Sequence, residues 1–248
     1  MASTSETSLA NNLANFESLI TSAESFGRDY NPSRENLKTI SLKALLADAK
    51  SSFNAVNIAQ SAYSNAVAAR ESAFAPQKQF VTRLNNALKA TDTTVQVDES
   101  ALTIVRKLQG KRASAKLTDE EIKALEAEGK EVNQISASQM DYDSQVENFN
   151  KLVTLFASIP QYAPNEEKLK VINLWKLHDE LKTKNTDVVT TTIQLSNARI
   201  KRNDILDKPL TGLQDIGFDT KVYIKSVFGA SSPQYKQVSK LIFKKRKS

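Results

Sequence analysis

The chain offers few side chains of the kinds that perform chemistry. Cysteine is absent and His178 is the only histidine. Thiol catalysis, disulfide frameworks and Cys/His zinc sites are therefore excluded, and a Ser-His-Asp triad would need His178 as its base. His178 lies in "LWKLHDELK", where neither HExxH nor ExxH spacing is present. We interpret it as a histidine on a helix surface.

The densest run of carboxylates has a structural explanation. Asp119, Glu120 and Glu121 directly follow Thr118 in "LTDEEIKAL". Threonine caps helices well and acids are favoured at the positive end of a helix dipole, so this run predicts a helix start rather than a catalytic pair. Phosphate-binding GxxxxGK[ST] and GxGxxG loops are absent as well. We therefore expect no enzymatic activity, no metal, no cofactor and no small-molecule substrate.

Long helices must position whatever function the chain has. Only six glycines and six prolines occur among 248 residues, which is too little turn chemistry for a β-protein. These residues leave four uninterrupted stretches that predict helices, at 33–75, 77–109, 130–159 and 165–208. In "NPSREN", Asn31 or Ser33 is the predicted cap of the first long helix, with Glu35 in its first turn. The predicted fold class is all-α, a long-helix bundle.

The two longest stretches each carry a seam with the 3,4 spacing of a bundle helix. The first seam is rich in small residues: Leu42, Leu45, Ala49, Ser52, Val56, Ala59, Tyr63 and Ala66. The second holds larger side chains: Leu174, Leu177, Leu181, Lys184, Val188, Thr191, Leu195 and Ala198.

The sequence also resembles itself at an offset of 132 residues, which predicts two tandem-duplicated helical units. "YNPSRENLKTISLKALLADAK" at 30 matches "YAPNEEKLKVINLWKLHDELK" at 162, and 14 of the 41 positions from 30 to 70 are identical to their counterparts. An offset of 133 extends the match in both directions. The predicted units are a first repeat at 1–112, an acidic insert at 113–140, and a second repeat at 141–248 with a basic C-terminal tail.

Four residues stand at matched positions of the two repeats. Arg70 and Arg202 both continue the seam late in a long helix. Each could pair with a carboxylate of a neighbouring helix and fix the register of the two helices, or extend its charged end to water at the end of the bundle. Tyr30 and Tyr162 each precede a proline by two residues, and we interpret them as anchors of a core or turn.

Charge is separated along the chain. The tail "KLIFKKRKS" contributes +5 of the net +6, whereas the stretch from Ala113 to Glu147 carries −6. Assembly of copies through these poles is one interpretation, and a solvated helix face with a frayed tail is another. Binding of the tail to nucleic acid or an anionic membrane is a third. The candidate contacts are Lys240, Lys244, Lys245, Arg246, Lys247, Asp119, Glu120 and Glu121.

Neither a signal peptide nor a membrane span is predicted. "MASTSETSLANN" lacks basic residues and an apolar core, and apolar runs such as "LVTLFASI" fall short of the roughly 18 residues of a transmembrane helix. We therefore expect a cytoplasmic protein. Three segments, "YNPSRENLKTISLKALLADAK", "IVRKLQGKR" and "LTDEEIKALEAEGKEVNQISASQM", resemble uncharacterised helical proteins of Bacteroidota. That resemblance implies no activity and no functional residues.

The expected role is that of a structural or interaction protein that assembles with itself into a filament, sheet or other homo-oligomer through repeated helical surfaces. The alternative is a basic-tailed binding module for nucleic acid or anionic surfaces. A third hypothesis is a component of an α-helical pore-forming toxin.

Overall fold

The computed structural model describes residues 4–111, 118–127 and 140–244, which form helices joined by short turns. No strand occurs in these ranges, so the predicted all-α class is confirmed. Single 3-10 turns lie at Gly27–Asp29, Glu35–Leu37 and Glu167–Leu169. The α-helices are α1 (Thr4–Ser25), α2 (Thr39–Phe74), α3 (Gln77–Lys89), α4 (Val95–Gln109), α5 (Asp119–Ala127), α6 (Tyr142–Ala157), α7 (Val171–Asp207), α8 (Leu213–Phe228) and α9 (Pro233–Ser239).

The predicted start of the first long helix is wrong. Helix α2 begins at Thr39, and neither Asn31 nor Ser33 caps it. Glu35 lies in the preceding 3-10 turn, which ends because Lys38 has extended backbone angles (φ −64°, ψ 144°). The same 3-10 turn precedes α7, with Lys170 extended at its end. A one-residue break therefore separates each turn from its long helix.

A buried tyrosine holds each of these turns. The Tyr30 hydroxyl donates to the carbonyl of Leu37 at 2.6 Å, and the Tyr162 hydroxyl donates to the carbonyl of Leu169 at 3.0 Å. A buried carbonyl needs such a partner because it is cut off from water. Burial also raises the pKa of both tyrosines to about 12. The interpretation of Tyr30 and Tyr162 as turn anchors is confirmed.

The chain divides into two compact units, and both long helices contribute to both. The first unit contains Met1–Tyr63 and Thr191–Ser248, and the second contains Ser64–Thr190. The predicted repeat 1–112 thus has residues in both units, as has the predicted repeat 141–248. The repeat boundaries describe similarity along the sequence and stay a prediction.

In the first unit, α1 packs against α8 and α9. The apolar core of this unit includes Phe16, Leu19 and Leu42, none of which is exposed. The remaining buried members of this core are Leu9, Ile20, Ala23, Tyr30, Leu37, Ala49, Leu206, Leu213, Ile216, Ile224 and Val238.

In the second unit, α4 packs against both α3 and α6. Phe149, Leu152 and Leu174 are fully buried there, and they match Phe16, Leu19 and Leu42 of the first unit in the sequence alignment. These parallels are what a duplication would produce, and the duplication itself stays a prediction.

The predicted seams face the cores. Every seam position of α2 and of α7 is buried or partly buried, and in α7 the buried ones are Leu174, Leu181, Val188 and Leu195, seven residues apart. A seven-residue period keeps one face of a helix turned to its neighbours over many turns.

Replacing both Tyr30 and Tyr162 by Phe should remove part of the loss of stability at alkaline pH. Unfolded tyrosines ionise near pH 10, whereas burial raises the folded pKa to about 12. The contribution to stability is therefore complete below about pH 10 and is lost as the pH rises towards 12. Urea unfolding at about pH 8 and about pH 11 should show a smaller difference for the double Phe variant than for the parent. Tyr63→Phe is the control, and equal differences in all three chains would contradict the assignment.

Candidate interaction surfaces

The basic segment after α9 is held against α1 over the residues that the structure describes. The side-chain amide of Asn12 donates to the carbonyl of Lys244 at 2.9 Å, and its oxygen accepts from the Lys244 backbone N–H at 3.0 Å. Asn12 is only 1% exposed. A single side chain thus pairs with both backbone groups of one residue, as a neighbouring strand would.

Two further side chains bind the backbone of this segment. Asn15 donates to the carbonyl of Ile242 at 2.9 Å. The Lys221 ammonium, on α8, donates to the carbonyls of Ser239 at 3.1 Å and Leu241 at 2.6 Å. Burial lowers the pKa of Lys221. All these bonds reach main-chain atoms, so they fix the path of the segment rather than its side chains.

One aromatic ring anchors the segment. Phe243 contacts Phe16 edge-on with ring centres 6.3 Å apart. Its ring also lies over Gly217 of α8, where an added Cβ would approach the ring to 2.7 Å. Real Cβ atoms do not come so close, so the ring uses the space that the missing side chain leaves.

The segment Lys240–Lys244, hereafter the docked segment, alternates in exposure like an extended strand. Leu241 and Phe243 are partly buried, whereas Lys240, Ile242 and Lys244 are exposed. Over these residues the tail is not frayed, and the two lysine side chains are available to a partner. Lys245, Arg246 and Lys247 lie outside the described residues.

The acidic candidates lie at the start of α5, as predicted. The helix begins at Asp119, and the backbone N–H of Ile122 donates to the Thr118 carbonyl at 3.0 Å. The Glu120 side chain is exposed. The side chains of Asp119 and Glu121 are outside the part that the structure describes, so the pairing of the charge poles stays a prediction.

The two matched arginines make different contacts. The Arg70 guanidinium stacks on the Tyr142 ring, 3.9 Å from its centre. It also donates to the side-chain amide oxygen of Asn185 at 3.0 Å. Asn185 in turn donates to the Asp143 carboxylate at 2.5 Å. The Asn185 amide therefore lies between the Arg70 guanidinium and the Asp143 carboxylate.

Arg202 is 3% exposed and does not extend to water. Its guanidinium lies 5.5 Å from the ring centre of Phe53 and donates to the side-chain amide oxygen of Asn203 at 3.1 Å. Phe53 and Asn185 occupy matched positions of the repeats, so each arginine meets the same position of the other long helix. A register-setting role for Arg70 and Arg202 stays a prediction that this geometry supports.

The His178 side chain is only 12% exposed, so the prediction of a histidine on a helix surface is wrong. Its ring meets Trp175 edge-on at 5.7 Å, and its Nδ1 lies 3.0 Å from the Asp179 carboxylate. Among the described residues, no group of three or more His, Asp or Glu side chains is placed to hold a metal ion. None of the described helices is long and apolar enough to cross a bilayer.

Comparison with known proteins identifies no relative: no family model matches the chain, and no similar curated protein or solved structure is found.

Replacing Asn185 by Ala should destabilise the chain by about 1–3 kcal/mol, because Arg70 loses a partly buried acceptor and Asp143 loses a donor. The free energy of unfolding in urea measures this loss. Asn57→Ala, at an exposed position of α2, is the control. An equal effect of the two substitutions would contradict the role of the Arg70, Asn185 and Asp143 network.

Proposed function

We propose that the chain is a structural or interaction protein that assembles with itself through surfaces present twice in each copy. The observation that supports this most directly is an exposed isoleucine at the same place in both long helices. Ile40 is 75% exposed and Ile172 is 62% exposed, and the two occupy matched positions of the repeats.

The matched isoleucines have no role in the described cores. Leu37 and Leu169, three residues earlier, are 5% and 6% exposed and supply the apolar anchor of each turn. An identity between the repeats at a buried position is explained by packing. An identity at an exposed apolar position is not explained by packing, and we take it to reflect a contact with another molecule.

The same ion pair accompanies both isoleucines. The Lys38 ammonium lies 2.6 Å from the Glu35 carboxylate, and Lys170 pairs with Glu167 in the same way. Hydrogen bonding to Lys170 lowers the pKa of Glu167. Exposed pairs of this kind contribute about 0–1 kcal/mol to stability, so the fold hardly depends on them.

We name the sets Glu35, Lys38, Ile40 and Glu167, Lys170, Ile172 the repeated patches. Each combines one exposed isoleucine with a Lys–Glu ion pair that lies two to five residues earlier in the chain. A chain with two equivalent contact points can join two neighbours, which is the requirement for open-ended assembly. The opposite charges within each patch also allow a patch to pair with a second copy of itself.

The test is sedimentation velocity of a double Ile40→Ser, Ile172→Ser variant over a range of protein concentrations. We expect the parent to form oligomers or polymers and the variant to shift to monomer, because two exposed apolar contacts are removed without loss of core packing. Circular dichroism should show unchanged helix content.

The matched control is the double Ile58→Ser, Ile193→Ser variant. These isoleucines are 63% and 55% exposed but have no isoleucine at the matched repeat position. The control should assemble like the parent. A parent that stays monomeric, or a control that loses assembly equally, would contradict the proposal.

A basic-tailed binding module is the second candidate. Lys240 and Lys244 support it, because both are exposed and lie on the outward side of the docked segment. Binding to phosphates through lysines would weaken steeply as salt rises, since condensed counterions are released on binding. Self-assembly through the repeated patches depends mainly on apolar contact and should respond much less to salt.

A further inference from the structure

A cavity in the second unit lies between the first turns of α3 and the start of α7. Its volume is about 520 Å³, within the usual range for a small-molecule site. Phe80 and Leu177 belong to its apolar wall, and all of its lining residues belong to the second unit. The cavity shares no residue with the repeated patches or with the docked segment.

One buried side chain in the lining has no partner for either of its polar atoms. Gln77 is 3% exposed, and neither its amide oxygen nor its amide nitrogen is hydrogen-bonded to a residue that the structure describes. A buried amide in this state costs free energy, because water no longer satisfies it. A bound molecule with one donor and one acceptor would satisfy both atoms once the side chain turns towards the cavity.

Three charged side chains of the lining are also unpaired. Within the described ranges, Arg83, Lys168 and Glu180 form no ion pair. Arg83 also lines a neighbouring cavity together with Leu169, the residue that follows Lys168. The two positive charges therefore lie at the same end of the cavity.

The unsatisfied amide and the negative charge lie away from that end. Gln77 precedes Arg83 by six residues on α3, which corresponds to about 9 Å along a helix. On α7, Glu180 lies seven residues beyond Asn173, or about 10 Å further from the start of the helix. The cavity therefore offers positive charge at one end, and an amide and a carboxylate about 10 Å away.

We propose that this cavity binds a short peptide of two or three residues with free ends and an apolar side chain. The C-terminal carboxylate of the peptide pairs with Arg83 and Lys168. A peptide bond satisfies Gln77, since it offers one N–H and one carbonyl. The apolar side chain packs on Phe80, and the N-terminal ammonium pairs with Glu180.

The length of the ligand follows from the spacing of these groups. Three extended residues span about 10 Å, whereas the main chain of a free amino acid spans only about 3.5 Å. A single amino acid therefore cannot reach from the two cations to Gln77 through its main chain. The site is independent of the proposed self-assembly, because it uses other residues.

The test is titration of the full chain with the tripeptide alanyl-phenylalanyl-alanine, followed by NMR of the backbone amides. We expect saturable shifts at residues 73–83 and 168–181. Amidation of the peptide's C-terminus or acetylation of its N-terminus should each weaken binding about tenfold, because each removes one ion pair. Absence of saturable shifts in these ranges would overturn the proposal. Equal binding of the three peptides, or of free phenylalanine, would also overturn it.

Gln77→Met separates binding from folding. Methionine is close to glutamine in size and favours helix, but it lacks both amide atoms. We expect about a tenfold loss of affinity for the tripeptide, while the urea midpoint of the free chain stays the same or rises because an unsatisfied amide is removed. Gln96→Met, at an exposed position of α4 outside the cavity, is the control and should bind like the parent. Unchanged affinity of Gln77→Met would overturn the assignment of the amide.

Arg83→Gln tests the positive end of the cavity. Arg83 is exposed, so the core should be unaffected. We expect this variant to bind the free and the C-terminally amidated tripeptide with similar affinity. A preference for the free C-terminus equal to that of the parent would overturn the position of the carboxylate.

Discussion

The hydrogen bond from a buried tyrosine to a carbonyl seven residues later is the constraint on which each half of the structure depends. It fixes Tyr30 to Leu37 and Tyr162 to Leu169, and so holds a 3-10 turn at the entrance to each long helix. The turn points its leucine into the core. Three residues later, in the first turn of the long helix, the matched isoleucine faces solvent. The same local geometry therefore supplies both stability and the repeated exposed patch.

Much of the fold could be predicted because it follows from the spacing of apolar residues along the sequence. The 3,4 seams identify the buried faces of α2 and α7, and the scarcity of glycine and proline identifies the helical class. The start of α2 was mispredicted because "NPSREN" carries good capping residues. Instead, a hydrogen bond from the Tyr30 hydroxyl to the Leu37 carbonyl holds a 3-10 turn there, and sequence spacing alone does not reveal that hydrogen bond.

The interaction surfaces were harder to predict because they depend on contacts between distant residues. The basic tail is evident from its charge, but its backbone is bound by Asn12 from 232 residues away, which the sequence does not reveal. One signal in the sequence could have helped, a glycine inside α8. Gly217 lies inside a helix, where glycine costs stability unless something needs the space.

The buried seams face the cores, whereas the repeated patches lie outside them and combine an isoleucine with paired charges. The docked segment is held on α1 through its main chain and through the Phe243 ring.

Electron microscopy of the purified, nucleic-acid-free parent chain in negative stain, at low and high salt, tests self-assembly most directly. The account predicts regular oligomers or polymers that persist at high salt, because apolar contacts dominate the repeated patches. Single, uniform monomers under both conditions would contradict it.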